Sequence, residues 1–400
     1  MPLSKLSEKH FNSKISEPTK FDFEIKKEGF YIIKIVARAG AWWQQLPFVS
    51  GKYWLDEELK ASLDEKPIEP YFNGNSLYGT RQFIILFERL SLGNHTLKFE
   101  AKGKPILETV EVGVLDDDGR PFDLISLIES KPEDTLLSSF VSRRKNWVTI
   151  VSLSQPFLYL LINARAKDGK QLLFWQTDDE DLQLKLGGEV QKNNEPKAHP
   201  FWYWCGRASK STGKIFEGSF TDQDSVRQID IIADRSPEVA QVLISFRRVP
   251  TVNGPLWTGS FDGDTDVMLL ARVILGEAEG VSEIAKTWVG WTVKNRVLAQ
   301  REGEWGLTIH EVILRENQYE AFVKKERLVK MKDPLNTTDE KVRQAWFTSY
   351  KVAVGILDDS IPDPTQGATN FYSTPIDQIP YWATKEREKG TIGNLHFYKL

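Results

Sequence analysis

The residues best placed to do chemistry lie in Leu269-Leu270-Ala271-Arg272-Val273-Ile274-Leu275-Gly276-Glu277-Ala278-Glu279-Gly280. Leu269, Leu270, Val273 and Ile274 recur at helical spacing, and the next places on that apolar face both fall on Glu277. Apolar neighbours desolvate a carboxyl group at such a place and raise its pKa. Gly280 predicts that the helix ends there, and the partial negative charge of a helix C-terminus disfavours ionisation further. Glu277 is thereby suited to act as a general acid near neutral pH. The alternative is a boundary residue of an amphipathic helix that reaches solvent.

The elements that must hold Glu277 can be read from the flanking sequence. Thr265 or Asp264 can cap the helix opened by Asp266, and Ser282 can cap a second helix from Glu283 to Gln300. On that second helix Ile284, Trp288, Trp291 and Asn295 follow one face. Asn295, the polar member of this row, must fix the neighbouring loop or contact a ligand.

Taken in order, Ala271–Gly280, Asn295-Arg296-Val297, Thr308–Ile313 with Gln318-Tyr319, Asp363–Tyr372, Pro380-Tyr381-Trp382-Ala383 and Ile392–Lys399 resemble the SleB/CwlJ-type cell wall hydrolases, the spore cortex-lytic family. The resemblance covers roughly residues 266–400. It implies cleavage of peptidoglycan glycan strands by a lysozyme-like α+β domain with a single essential Glu, which Glu277 matches in its Gly-Glu-Ala setting. The family usually has Arg where Glu279 stands and His where Leu395 stands, with His396 displaced by one place onto the other face of a strand. Glu279 is expected to make the site more acidic and to raise the pKa of Glu277 if the two are near. Asn295, Gln318, Tyr319, Asn370, Tyr372 and Asn394 are candidate substrate-binding residues, since amide and phenol groups suit the acetamido and hydroxyl groups of amino sugars. The basic run Lys324–Lys332 either meets anionic wall groups or forms a solvated helix face.

Retaining and inverting glycosidases use two carboxyls, and the matched motifs supply one. A lytic transglycosylase resolves this: Glu277 protonates the oxygen between N-acetylmuramic acid and N-acetylglucosamine, then takes the proton of the sugar's 6-hydroxyl to leave an anhydro end. Hydrolysis of the same bond, with water activated by Glu279, Glu283 or Asp363, is the alternative. A non-catalytic glycan-binding or structural virion or spore protein is the reading from a different class.

Residues 1–250 have another character. Phe30–Ala39, Phe83–Phe87 and the alternating His95–Ala101 read as strands, and the pattern returns: Tyr159–Ala166 matches the Tyr31 strand, Asp179–Leu186 resembles Asp56–Leu63, and Ile231–Pro237 lines up with Phe99–Pro105. The expected fold is multidomain: two antiparallel β-sandwiches, a tandem duplication at 1–118 and 146–250, joined by a spacer at 119–145 with a helix from Phe122 to Phe140. A linker at 251–260 then leads to the α+β catalytic domain at 261–400. Trp42, Trp43, Trp54, Trp175, Trp202 and Trp204 are candidates for stacking on sugar rings in carbohydrate-binding modules, although Trp202 and Trp204 also fit ordinary strand positions.

A chain of 400 residues with 40% hydrophobic and 12% aromatic residues supports several packed cores. The formal net charge of -4 argues against nucleic acid as a partner. Cys205 is the only cysteine, which excludes an internal disulfide framework, and the five scattered histidines form no HExxH pair, so neither metal nor other cofactor is expected. Neither a secretory leader nor a membrane-spanning run is visible. The expected partner is peptidoglycan, reached at the wall as a phage or prophage lysin, as a virion component, or from a store inside the cell or spore; oligomeric state is not legible.

Overall fold

The structure, a computed structural model, describes residues 4–40, 56–69, 71–73, 81–115, 121–125, 147–169, 171–173, 176–177, 179–193, 199–209, 213–221 and 223–400. The chain forms two compact units, Met1–Asp118 with Phe122–Phe246, and Gly119–Pro121 with Arg247–Leu400.

The first unit is built on β-sheet. Its nine-stranded sheet runs β1 (Ser4–Lys14), β9 (Ile106–Val114), β3 (Gly29–Arg38), β7 (Arg81–Leu90), β11 (Trp147–Leu153), β19 (Gln228–Asp234), β15 (Asp181–Leu186) and β16 (Glu189–Val190), with β17 (Trp204–Cys205) beside β15. A five-stranded sheet holds β2 (Thr19–Ile25), β8 (Gly93–Lys102), β4 (Glu58–Leu63), β5 (Lys66–Pro67) and β6 (Phe72–Asn73). A four-stranded sheet holds β10 (Phe122–Asp123), β20 (Glu238–Ser245), β12 (Tyr159–Arg165) and β18 (Gly213–Ser219). A ribbon of β13 (Gln171–Leu173) and β14 (Gln176–Thr177) and the single-turn helix α1 (Gly206–Ser209) complete it.

The parallel pairing of β7 with β11 makes the large sheet continuous across both halves of this unit. It also explains why β3 and β7 read as unbroken apolar runs, because both faces of these strands are buried. Ile32, Val36, Phe83, Ile85 and Phe87 enter one core with β12 and β20, while Ile33, Ile35, Ile84 and Leu86 enter the other with β2, β4 and β8. The strand pairs β4–β8 and β15–β19 share a register: Leu59 faces Ala101 and Leu63 faces Leu97, as Leu182 faces Ala233 and Leu186 faces Ile229. The expected helix from Phe122 is corrected at its start. Phe122 and Asp123 pair with β20, and Asp123 Oδ1 accepts the Ile125 and Val242 amide N–H groups at 3.0 Å each. Residues 126–146 lie outside the described residues.

The second unit is helical, with α2 (Asp266–Ala278), α3 (Glu283–Leu298), α4 (Ile309–Leu314), α5 (Glu320–Val323), α6 (Lys325–Lys332) and α7 (Glu340–Leu357), followed by a sheet in the order β21 (Asn370–Ser373), β23 (Leu395–Tyr398), β22 (Glu388–Ile392). Thr265 caps α2 by accepting the Met268 N–H at 3.2 Å, and Ser282 caps α3 by accepting that of Ala285 at 3.3 Å. Apart from Asp266 and Glu277, whose side chain is 6% exposed, every α2 residue is buried, Arg272 included. Ile284 does not join the apolar row of α3: it is 64% exposed. Among the described residues no helix is long and apolar enough to cross a membrane.

Arg272 ties this unit together. Its side chain is fully buried and donates to Asp264 Oδ2 at 2.7 Å and to the carbonyls of Met331, Lys332, Pro255 and Leu256. Thr251 and Gly254 close a tight turn, and Trp346 Nε1 donates to the Val252 carbonyl at 2.8 Å.

Candidate active site

Glu277 stands at the last turn of α2, and each residue of Gly276-Glu277-Ala278 has a separate task. A Cβ on Gly276 would come within 2.6 Å of both Ala321 Cβ and Met331 Sδ, so only glycine lets α5 and α6 press against α2 here. That approach brings the Ala321 N–H to Glu277 Oε1 at 2.7 Å. Ala278 packs in a small core with Ala285, Val289, Leu395 and Phe397, which joins the helix end to the C-terminal sheet.

The Glu277 side chain is only 6% exposed, and burial raises its pKa. The Ala321 N–H and the Arg327 guanidinium, whose Nη1 lies 3.4 Å from Oε2, pull it down, while Glu320 adds to the rise. Glu279 has a cationic partner of its own. Glu279 receives Lys330 Nζ at 2.9 and 2.7 Å on its two oxygens, and the carboxylate among the largest influences on Glu277 is Glu320. The helix ends where Gly280 predicts, with Glu279 as its C-cap, although Gly280 does not take the left-handed conformation. The Lys286 ammonium instead donates to the carbonyls of Ala278 and Glu279, the latter at 3.0 Å. Lys286 is buried, and desolvation lowers its pKa to about 8 against the pull of Glu279.

Arg296 of α3 organises the neighbouring residues. It donates through Nε to the Thr369 carbonyl at 2.6 Å, and through Nη1 to Gln318 Oε1 at 3.1 Å and Tyr319 Oη at 3.3 Å. The Tyr319 phenol is raised in pKa by burial, lowered by Arg296 and raised by Glu277. Gln318, Tyr319 and Glu277 therefore share one neighbourhood. Asn295 and Tyr319 are buried and bonded inside the fold, and of the two roles open to Asn295 the structure shows the first. Asn295 Nδ2 donates to Asp363 Oδ2 and Thr365 Oγ1 at 3.1 Å each and to the Ala368 carbonyl at 3.0 Å, so it fixes the loop before β21.

In the C-terminal sheet Asn370 faces Tyr398 and Tyr372 faces His396 across the β21–β23 ladder. Phe371, Leu395 and Phe397 point to the core, so His396 lies on the face opposite Leu395, as its one-place displacement predicts. Tyr372 stacks on His396 at 4.9 Å and on Tyr398 at 5.8 Å. Burial and the Tyr372 hydroxyl push the Tyr398 phenol up to about 12. Asn394, exposed between β22 and β23, donates to the Thr374 carbonyl at 3.1 Å.

Of the stacking candidates in the first unit, Trp42, Trp43, Trp54 and Trp175 lie outside the described residues. Trp204 is corrected: it is buried in the core, and its Nε1 donates to the Lys214 carbonyl at 2.7 Å, so it offers no ring face to a ligand. Trp202 is partly exposed. Sequence reasoning missed Arg327, Lys330 and Lys286. Arg327 and Lys330 lie in the basic run, whose charge was legible but whose carboxylate partners 50 and 51 residues upstream were not.

Residues 280–398 match the family model for Cell Wall Hydrolase, a span that begins just after Glu277, and the C-terminal unit thus carries a cell wall hydrolase domain. No curated protein matches the chain. Among solved structures, the catalytic domain of the Bacillus cereus SleB protein is 19% identical, covers 34% of this chain and 89% of its own, and has a TM-score of 0.24. The catalytic domain of the germination-specific lytic transglycosylase SleB from Bacillus anthracis is also 19% identical, over 34% and 93%, at 0.24. The dimeric latent PorU from Porphyromonas gingivalis is 12% identical over 58% of this chain and 19% of its own, with a TM-score of 0.20.

Proposed function

We propose that the C-terminal unit cleaves peptidoglycan glycan strands between N-acetylmuramic acid and N-acetylglucosamine as a lytic transglycosylase, with Glu277 as its acid and base. The observation that carries this reading is a carboxyl 6% exposed at a helix end, its pKa raised by burial, immediately before a segment of the cell wall hydrolase family. The protonated Glu277 gives its proton to the glycosidic oxygen as the C1–O bond breaks. The substrate's own acetamido group steadies the cationic sugar. The Glu277 carboxylate then takes the proton of the 6-hydroxyl as that oxygen closes on C1, which restores the acid and consumes no water.

The carboxylates that could activate water in a hydrolase are engaged elsewhere. Glu279 is paired with Lys330, Glu283 with Lys351 at 2.9 Å, and both Asp363 oxygens are taken by Thr365, Gly367 and Asn295. A muramidase reading is favoured by one feature, Glu320, which lies across Arg327 from Glu277 at 3.6 Å from the shared guanidinium nitrogen. Digestion of purified peptidoglycan followed by mass spectrometry separates the two. Anhydro-muramic ends support the transglycosylase and reducing muramic ends the muramidase.

The first unit is read as a duplicated β-module that holds the enzyme on the wall. The common register of β4–β8 and β15–β19 supports duplication. So does the irregularity that β3 and β12 each carry, between Val36 and Ala37 and between Asn163 and Ala164, next to the Ala-Arg of both strands.

A further inference from the structure

The β4–β5 hairpin of the first unit forms one wall of a cavity of about 440 Å³, which is lined as well by the end of β7, the turn after it and Ser152 of β11. His95 of β8 ties these walls together. Its ring is buried, with Nδ1 at 2.6 Å from Asp64 Oδ2 in the hairpin and Nε2 at 2.9 Å from the Ser91 carbonyl in the turn after β7. Both partners are acceptors, so both ring nitrogens donate and the ring is an imidazolium. Asp64 also accepts the Thr96 N–H at 2.9 Å. The cavity is thus built into the fold.

Its lining divides into an apolar part and a charged part. Leu63, Ile68, Leu86 and Leu90 are buried side chains of the first kind. Among the charged groups Asp64 is matched by His95, and Arg89 donates to Glu28 Oε1 at 2.9 Å. Glu88 has no such match. It is partly buried, and no donor bonds it among the described residues; burial raises its pKa, and the Lys66 ammonium lowers it through space. A carboxylate desolvated in this way without a bonded partner is stabilised by a cation brought into the cavity. The apolar lining suits methylene groups, and Glu88 suits a positive charge at their end. That combination describes a primary ammonium on an alkyl stem. N-acetylated glycan carries no such group, whereas peptidoglycan stem peptides do wherever the side-chain amine of their diamino acid is free.

We propose that this cavity is a cation site that takes an alkylammonium side chain, presented on the wall by stem peptides with a free diamino-acid amine. The wall as its source rests on the proposed role of the first unit in holding the enzyme there; the cation site itself does not. Cross-linking acylates that amine, so the site distinguishes uncross-linked from cross-linked peptides.

The test uses the full chain and ligand-observed NMR titrations of three probes. These are lysine blocked at both backbone ends, the same probe acetylated on its side-chain nitrogen, and amidase-released stem peptides with the diamino acid free. The blocked lysine and the stem peptides bind, and the acetylated probe does not. Two substitutions act in opposite senses. Glu88→Gln weakens binding about 10-fold, whereas Lys66→Ala, at an exposed position, removes a competing cation and tightens binding about 2- to 5-fold. Tightening cannot come from damage to the fold, so the Lys66 result stands even where Glu88→Gln unfolds. Absence of blocked-lysine binding, equal binding of the acetylated probe, or weaker binding by Lys66→Ala overturns the cation site. Binding of the blocked lysine without the stem peptides supports the cation site and overturns its assignment to the wall. None of the probes is a glycan, so these outcomes are independent of whether Glu277 cuts glycan.

Discussion

Glu277 is held between opposing influences, and their balance sets its use. Burial keeps the proton on, whereas Arg327 and the Ala321 N–H favour its release, which is what a group that must first give and then take a proton requires. Glu277→Gln keeps the shape and removes the proton, and release of soluble fragments from purified walls is expected to fall by about 10²- to 10⁴-fold. Arg327→Gln removes a positive charge that lowers the carboxyl's pKa, so that pKa rises. The alkaline limb of kcat/KM, set by loss of the Glu277 proton, moves to higher pH, and a limb that stays or moves down would count against Arg327 as its partner. Glu277 was legible in the sequence because it interrupts an apolar row with a charge. Arg327 was not, because its meeting with Glu277 depends on how closely α6 approaches α2, and no local pattern records that distance.

The approach itself is a property of elements, and Gly276 controls it. Gly276→Ala forces Ala321 and Met331 back from α2, with an expected cost of about 1–3 kcal/mol in urea unfolding and a larger fractional loss of activity, since the Ala321 N–H leaves Glu277 with them. Unchanged activity in a destabilised Gly276→Ala protein would separate the packing from the chemistry. The end of α2 shows where sequence reasoning stops. Gly280 marks the end of the helix, but the last carbonyls are met by Lys286 from the next helix, a partner that local pattern does not reveal. Lys286→Met removes the ammonium from both carbonyls and leaves Ala278 only the distant Val281 N–H at 3.5 Å, and unfolding measurements should register about 1–3 kcal/mol.

At the scale of the whole molecule, both the β-rich first unit and the helical second unit were visible in the change of periodicity near residue 256, whereas the continuity of the nine-stranded sheet was not. It depends on β7 pairing in parallel with β11, strands from the two halves of the first unit, and turn signals do not report such pairings. The second unit has its own core, and its N-terminal turn is part of it: Val252, Pro255 and Leu256 supply carbonyls to Trp346 and Arg272. A fragment of residues 247–400 is therefore expected to unfold cooperatively, and one begun at 261 to be measurably less stable; equal melting temperatures would show those contacts to be dispensable. Arg272→Met leaves Asp264 buried without its partner, for which about 3–5 kcal/mol of lost stability is expected. The central claim is that one buried carboxyl cuts glycan without water. Its most direct test is mass spectrometry of purified peptidoglycan digested in H₂¹⁸O by wild type and by Glu277→Gln. The account predicts anhydro-muramic ends free of ¹⁸O from the wild type and no new ends from the variant; ¹⁸O-labelled reducing ends, or cleavage that survives Glu277→Gln, would contradict it.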